Sequence, residues 1–395
     1  MMKAFTFLGR GKLHKSTYVF NGKKKETQFF AEAIVEFFEP ESLFFFATDS
    51  AAKEPVSDDN KKERLRHITE LLNGKTNVVH IPIEEGADEK ELWDIFNTVV
   101  AQIDDNDRVL FDITHGFRSL PFLTFLALAY VRNVRSGVEI ERVIYGAYEA
   151  VERNNPEKPV FDLTPFVSLL DWMNAVNVFQ NSGDARPIAQ LQKVPRNIAE
   201  VLTSLSNALL TNCTLEAQEA AMQFNTVMQS DSLSFGESKQ PFQILIEQLH
   251  KSYAHMAVNE PYNDRSKVSS HKKQVEQIKW YVENQHYLQA ITLMQEWIIS
   301  WKCIEDGKNW LSRDRDTIRQ DLNERAELIE SQIAESLAPL ASDLPAIELW
   351  KKCRGIRNDL THCGMSDNPE EAAEAIRKIK NLFEDFKEFE KSVYN

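Results

Sequence analysis

An α/β domain built on a parallel sheet, followed by an all-helical domain, is the fold class that the 395-residue sequence predicts. Three observations carry it. Through about residue 165, short β-branched and aromatic runs alternate with amphipathic stretches, the rhythm of βα units. Polar residues and glycines follow those runs, where an open α/β sheet keeps its ligand crevice. After FDLTPFVSLLDWMNAVNVF (161–179) the strand signals stop, and from about Asp184 onward apolar residues recur at three and four positions. The expected domains are therefore 1–180, with a Rossmann-like parallel sheet, and 181–395, all α.

In chain order, KAFTFL (3–8), SLFFFAT (42–48), NVVHIPI (77–83), RVLFDI (108–113) and VIYGA (143–147) are short runs rich in Phe, Val and Ile, as strands are. The amphipathic stretches between them place helices beginning near Thr27, Asn60, Asp88 and Phe117. RVLFDI leaves its apolar pattern through DITHGFRSLP (112–121) and runs directly into the apolar helix FLTFLALAYV. Lys23-Lys24-Lys25 reads as a solvated turn, and NEPYNDRSK (259–267) as a loop between helices.

Bulk composition narrows the function classes. A chain that is 43% hydrophobic and 27% charged is an ordinary globular protein. Its net charge of -14 argues against a constitutive nucleic-acid coat, which needs clustered Lys and Arg, but not against a nuclease that touches RNA briefly. Cys213, Cys303, Cys353 and Cys363 form no CxxC pair and no metal-ligand spacing, which fits a reducing cytoplasm. There is no opening secretion signal and no apolar run of the ~20 residues a membrane span needs, so a cytoplasmic protein without membrane partners is expected.

Four strand ends share one edge of the expected sheet: Leu8-Gly9-Arg10-Gly11, Thr48-Asp49, Pro82 to Gly86, and Asp112-Ile113-Thr114-His115-Gly116 with Arg118. Glycines let a backbone approach a ligand, while Thr, His and backbone N–H groups can bond phosphate or base edges. Gly9-x-Gly11 alone lacks the third glycine of the dinucleotide fingerprint and reads as a tight turn. A lone histidine after a strand is a structural donor more often than a catalyst. With Asp112, Thr114 and Arg118 beside it, His115 points instead to a polar ligand.

These residues resemble the CRISPR-associated Rossmann fold (CARF) family, in the branch marked by a DxTHG motif, here Asp112 to Gly116. FLGRG, YGAYEA (145–150) and FDLTPFVSLLDWMNAVNVF extend the resemblance over most of the first ~180 residues. It implies that the sheet edge of a dimer binds a cyclic oligoadenylate, the messenger of type III CRISPR effector complexes. Cyclic tetra-adenylate is the first expectation and hexa-adenylate the second. The ligand contacts would be Gly9, Arg10, Gly11, Thr48, Asp49, Asp112, Thr114, His115, Gly116 and Arg118, with the triple lysine as a lesser candidate for a messenger phosphate.

A second constellation, RGIRNDLTHCG (354–364), closes the helical pattern LPAIELWKKCRGIRNDL, with Gly364 as its C-cap and Asn368-Pro369-Glu370 opening the next helix. Arg357, Asn358 and His362 form R-N-x-x-x-H, which resembles the catalytic signature of HEPN ribonucleases. Arg357 and His362 fall about 140° apart at ~3.6 residues per turn, so one protomer does not aim both at a single phosphate. A homodimer, or a higher even oligomer, can bring two copies of the motif to one cleft. RNA carries its own 2′-hydroxyl nucleophile. His362 can carry the proton, given a histidine pKa of about 6.5, Arg357 can bond the phosphate oxygens, and Asn358 can orient. No cofactor or metal is required, and no paired carboxylates flank the motif.

Other features read more plainly. Trp297 and Trp301 are expected in core or interface rather than as a base platform. His250 and His255, five apart, do not align as metal ligands. Lys267 to Lys279, of mixed charge, reads as a solvent face. The expected whole is a cyclic oligoadenylate-activated endoribonuclease cutting single-stranded RNA. Its rivals are a CARF ring nuclease degrading its own activator and a non-catalytic sensor that binds a partner.

Overall fold

The computed structural model describes residues 2–57, 59–115, 120–148, 157–191, 194–230, 239–330, 343–363, 365 and 370–394. The chain divides into two compact units, Met1–Asp171 and Trp172–Asn395. The division falls within the helix Thr164–Ser182.

In the first unit the strands are β1 (Met2–Phe7), β2 (Ser16–Phe20), β3 (Lys23–Thr27), β4 (Ser42–Ala47), β5 (Asn77–Pro82), β6 (Arg108–Asp112), β7 (Glu139–Gly146) and β8 (Glu157–Asp162). The helices are α1 (Phe30–Phe38), α2 (Asp49–Lys53), α3 (Arg64–Leu72), α4 (Glu89–Val100), α5 (Leu120–Val134) and the start of α6 (Thr164–Ser182). The sheet order is β3-β2-β8-β7-β6-β1-β4-β5. β5, β4, β1, β6 and β7 are parallel, and the crossover direction reverses between β1 and β6.

β1, β4 and β6 are apolar on both faces because helices cover both. Ala4, Leu43, Phe45 and Leu110 pack with Ile34 of α1 and Ile68 of α3. Phe5, Phe44 and Phe111 face the other way, toward Val99 of α4 and Leu128 of α5. Phe5 stacks between Phe44 at 5.0 Å and Phe111 at 4.7 Å.

The sheet is mixed, not wholly parallel, because three strands that the sequence pattern did not mark, β2, β3 and β8, extend it beyond β7. β8 runs antiparallel to β7, β2 parallel to β8, and β3 antiparallel to β2. The triple lysine lies in β3, and the turn precedes it at Asn21 (φ 47°) and Gly22 (φ 79°), the positive-φ pair of a two-residue hairpin. Lysines on an edge strand discourage pairing with another chain. The helix expected near Thr27 starts at Phe30 and the one near Asn60 at Arg64, whereas α4 starts as expected, with Asp88 accepting from the Glu91 N–H at 2.8 Å. Phe117 lies outside the described residues.

The second unit holds the remainder of α6, then α7 (Arg186–Ala189), α8 (Arg196–Leu210), α9 (Thr214–Gln229), α10 (Lys239–Tyr253), α11 (Lys267–Glu283), α12 (Tyr287–Glu305), α13 (Asp314–Glu330), α14 (Leu344–Thr361) and α15 (Ala372–Tyr394). α12 is its axis: residues from Ala290 to Cys303 are buried on nearly every side. Trp297 and Trp301 belong to this core. The 259–267 segment is a turn with Glu260 at φ 50° and a short 3-10 turn from Asp264 to Ser266. α11 is not simply a solvent face. It buries Ser270, His271, Gln274 and Gln277, whose polar groups find partners inside: Gln218 Nε2 donates to the Ser270 carbonyl at 2.8 Å, and Thr214 Oγ1 to Gln277 Oε1 at 2.7 Å.

Candidate functional site

The strand-edge site is assembled where the sheet order reverses. Asp112, fully buried at the end of β6, accepts from Thr6 Oγ1 of β1 at 2.6 Å and from the Thr114 N–H at 2.8 Å. The Thr114 hydroxyl in turn accepts from the Gly146 N–H at 2.7 Å, joining the motif to β7. Burial pushes the Asp112 carboxyl up, opposed by the nearby His115 and by the bonds from Thr114 and Thr6. Burial pulls the partly buried His115 down, opposed by Asp112. Asp112 to His115 therefore fold as a braced turn that sets His115 at the sheet edge.

His115 lines a cavity of about 120 Å³ together with Thr6, the 7–13 backbone segment, Gln28, Phe29 and Arg64. Gly9, Arg10 and Gly11 form one wall. Gly11 has φ +104°, a conformation that favours glycine, and Arg10 is exposed. Beyond the cavity, His14 stacks on Tyr148 at 5.7 Å, and the Lys158 ammonium lies 5.1 Å from the Tyr148 ring. Thr48 and Asp49 do not line this cavity. Thr48 is buried and its hydroxyl caps α2, accepting from the Ala51 N–H at 3.2 Å, while Asp49 is exposed and pairs with Lys53 at 2.6 Å. Gly116 and Arg118 lie outside the described residues.

Three participants at this edge had no signal in the sequence. Arg64, at the first turn of α3, is 2% exposed and lies against the Gly9–Gly11 segment. Glu54 accepts from the Gly11 N–H. Tyr18 of β2 is buried, and its hydroxyl is pushed up to about 12 by that burial and by the Asp112 charge.

The second site lies at the end of α14. His362 is the helix C-cap and is exposed; its N–H donates to the Asn358 carbonyl at 2.9 Å. Arg357 and Asn358 are partly buried, and Arg357 Nη1 donates to Asn358 Oδ1 at 3.4 Å. Asn358 thus touches Arg357 with its side chain and His362 with its main chain. The left-handed residue ending the helix is Cys363, at φ 56°. Gly364, Asn368 and Pro369 lie outside the described residues, and the next helix begins at Ala372. Trp350 and Arg354, earlier on α14, both donate to Asn323 Oδ1 at 3.1 Å, which ties this helix to α13. His250 bonds Asn225 at 2.6 Å and His255 faces Glu276, so the two serve separate contacts. None of the described helices is long and apolar enough to cross a membrane.

Residues 3–149, which hold every strand-edge residue named above except Lys158, match the family model described as the CARF domain of the CRISPR system endoribonuclease Csx1. The first unit carries a CARF domain. Residues 168–260 match the second domain of CRISPR-associated protein MJ1674. The MJ1674 protein of Methanocaldococcus jannaschii is 24% identical over 312 residues, 76% of this chain and 45% of its own length, so the chain spans less than half of that relative. Among solved structures, Enterococcus italicus Csm6 bound to cyclic hexa-2′-fluoro-hexa-dAMP aligns over 100% of this chain and 94% of that one, with 13% identity and a TM-score of 0.48, too distant to carry an argument. The CARF match stops before β8. Neither family match reaches α14, so the reading of Arg357, Asn358 and His362 rests on their own geometry and residue types.

Proposed function

We propose that this CARF protein is a cyclic oligoadenylate-activated, metal-independent endoribonuclease acting on single-stranded RNA in type III CRISPR defence, with a Rossmann-like sensor and a HEPN-like helical effector. What carries the reading is the end of α14, where an exposed His362 and the Arg357–Asn358 pair meet at one helix terminus in a chain whose other unit is a CARF domain. The chemistry is balanced without further reagents. His362 removes the proton of the RNA 2′-hydroxyl, whose oxygen attacks the adjacent phosphorus. The 5′-oxygen then leaves, taking up a proton from the protonated His362 of a second copy, and a 2′,3′-cyclic phosphate remains. Arg357 stabilises the charge on the non-bridging oxygens, and Asn358 holds the arginine in register with the helix end. Because the two side chains diverge around α14, a shared site in a homodimer or higher even oligomer brings two copies of Arg357, Asn358 and His362 to one cleft.

At the sheet edge, Gly9 to Gly11, Arg10, His115 and the adjoining residues would hold the messenger, tetra-adenylate by first preference. Messenger binding activates only by favouring the cleavage-competent arrangement, since equal affinity for both arrangements shifts nothing. The test is to incubate the protein with labelled RNA and with cyclic tri-, tetra- or hexa-adenylate in EDTA, following RNA and messenger separately. RNA cleavage that depends on one ring supports the reading. A ring consumed without RNA cleavage would make the protein a ring nuclease, and binding without either would make it a sensor.

A further inference from the structure

Arg64 is an expensive residue to have buried. Removal from water lowers the pKa of its guanidinium, opposed by the Glu54 carboxylate 3.1 Å away, and its Nε–H is buried with no acceptor. A buried ion pair is weak evidence of stabilisation, because apolar residues of similar size commonly serve a core as well. Its remaining bonds show what the arginine does. Nη1 donates to the Gly9 carbonyl at 2.6 Å and Nη2 to the Gly11 carbonyl at 2.8 Å. Glu54 accepts the Gly11 N–H with both oxygens at 3.2 Å. One ion pair therefore grips both the carbonyl and the N–H of Gly11, at a backbone conformation (φ +104°) that favours glycine.

We infer that Arg64 and Glu54 are positioning residues that hold the Gly9–Gly11 loop in its ligand-receiving shape and so set the affinity for the messenger. This rests on the strand-edge reading of the proposed function. Glycine loops are conformationally permissive, and freezing one only when the ligand arrives would subtract its ordering entropy from binding. The clamp makes that expenditure during folding, before the ligand arrives. Arg64 lines the floor of the cavity and Glu54 sits on the loop amide, so neither has to touch the messenger to shape its site.

The test compares the wild-type protein with Arg64→Lys and with the double variant Glu54→Gln/Arg64→Met, which removes both charges together. Amide hydrogen exchange without ligand reads the loop, and calorimetric titration with cyclic tri-, tetra- and hexa-adenylate reads affinity. We expect faster exchange at Gly11 and a Kd raised at least tenfold in the double variant, with Arg64→Lys between it and wild type because lysine retains the charge but cannot span both carbonyls. The messenger concentration for half-activation should rise by the same factor, with a much smaller effect on the rate at saturation. Wild-type binding with unchanged Kd in both variants overturns this inference alone. A wild-type protein that binds none of the three rings overturns the functional reading and the inference with it. Arg64→Lys keeps the comparison available if the double variant does not fold.

Discussion

Thr6 Oγ1 donates a 2.6 Å hydrogen bond to Asp112 Oδ2, joining β1 to β6 at the point where the sheet order reverses. The bond sits under the crevice that such a reversal opens, and it makes Asp112 a brace of the turn that presents His115. Asp112→Asn should therefore act through structure. With its oxygen kept on the Thr114 N–H, the asparagine turns its amide nitrogen to the Thr6 hydroxyl, which must then accept and gives up its carboxylate partner, at a cost on the order of 1–3 kcal/mol. A lowered Tm together with weaker messenger binding is the expected pair of results. Weaker binding at full stability would make Asp112 a direct contact instead.

Catalysis should depend on the end of α14. His362→Ala removes an exposed side chain and opens no core cavity, so RNA cleavage should vanish while messenger affinity and Tm stay within error. Arg357→Ala should also abolish cleavage, with a small loss of stability because Arg357 is partly buried. Gel assays at saturating messenger check both, and near-normal cleavage by the two variants would remove the ribonuclease assignment.

His115→Ala should shift the response rather than abolish it. A lost hydrogen bond to a charged ligand is worth about 1–3 kcal/mol, so the activation curve moves to higher messenger concentration and recovers at saturation. Arg118→Ala should do the same. The His362 variant stays inactive at every messenger concentration, which separates sensing from cutting. Unchanged affinity in both strand-edge variants would place the ligand elsewhere.

In the helical unit, His271 should make stability depend on pH. It is fully buried, stacked 4.1 Å from Trp297, with Nε2 donating to the Trp297 carbonyl at 2.9 Å and Nδ1 accepting from the Tyr394 hydroxyl. Burial, with Arg315 contributing, pulls it down to about 3. The unfolded chain takes up the proton first, near the ordinary pH of about 6.5. This contribution is therefore complete above about 6.5 and drains away as pH falls toward 3. Between pH 7 and pH 5 the loss should be about 2 kcal/mol. Urea unfolding followed by tryptophan fluorescence measures it, and His271→Gln should flatten that part of the profile.

Much of the first unit was legible because its central strands must be apolar on both faces. SLFFFAT and RVLFDI announce themselves in any window, and DITHG announces the strand edge by interrupting such a run. β3 and β8 were not legible for the opposite reason. They form the far side of the sheet, where KKKET can stay largely exposed and EKPVFD carries charge at both ends. The R-N-x-x-x-H spacing was visible on a helix, but the dual contact of Asn358 and the capping by His362 appear only once α14 is built and ended.

By itself the sequence determined the alternation of strands and helices, the polar interruption at Asp112 to His115, and the chemical types at the end of α14, all consequences of neighbours in the chain. The tertiary structure alone decided that Arg64 lies beneath Gly9 and Gly11, and that His271 is sealed between Trp297 and Tyr394. Those contacts join residues 26 to 123 positions apart. A charged or polar side chain on an amphipathic helix has no local mark of whether it faces water or another segment. Only the packing of distant elements takes it out of solvent and supplies the partners that make its burial tolerable.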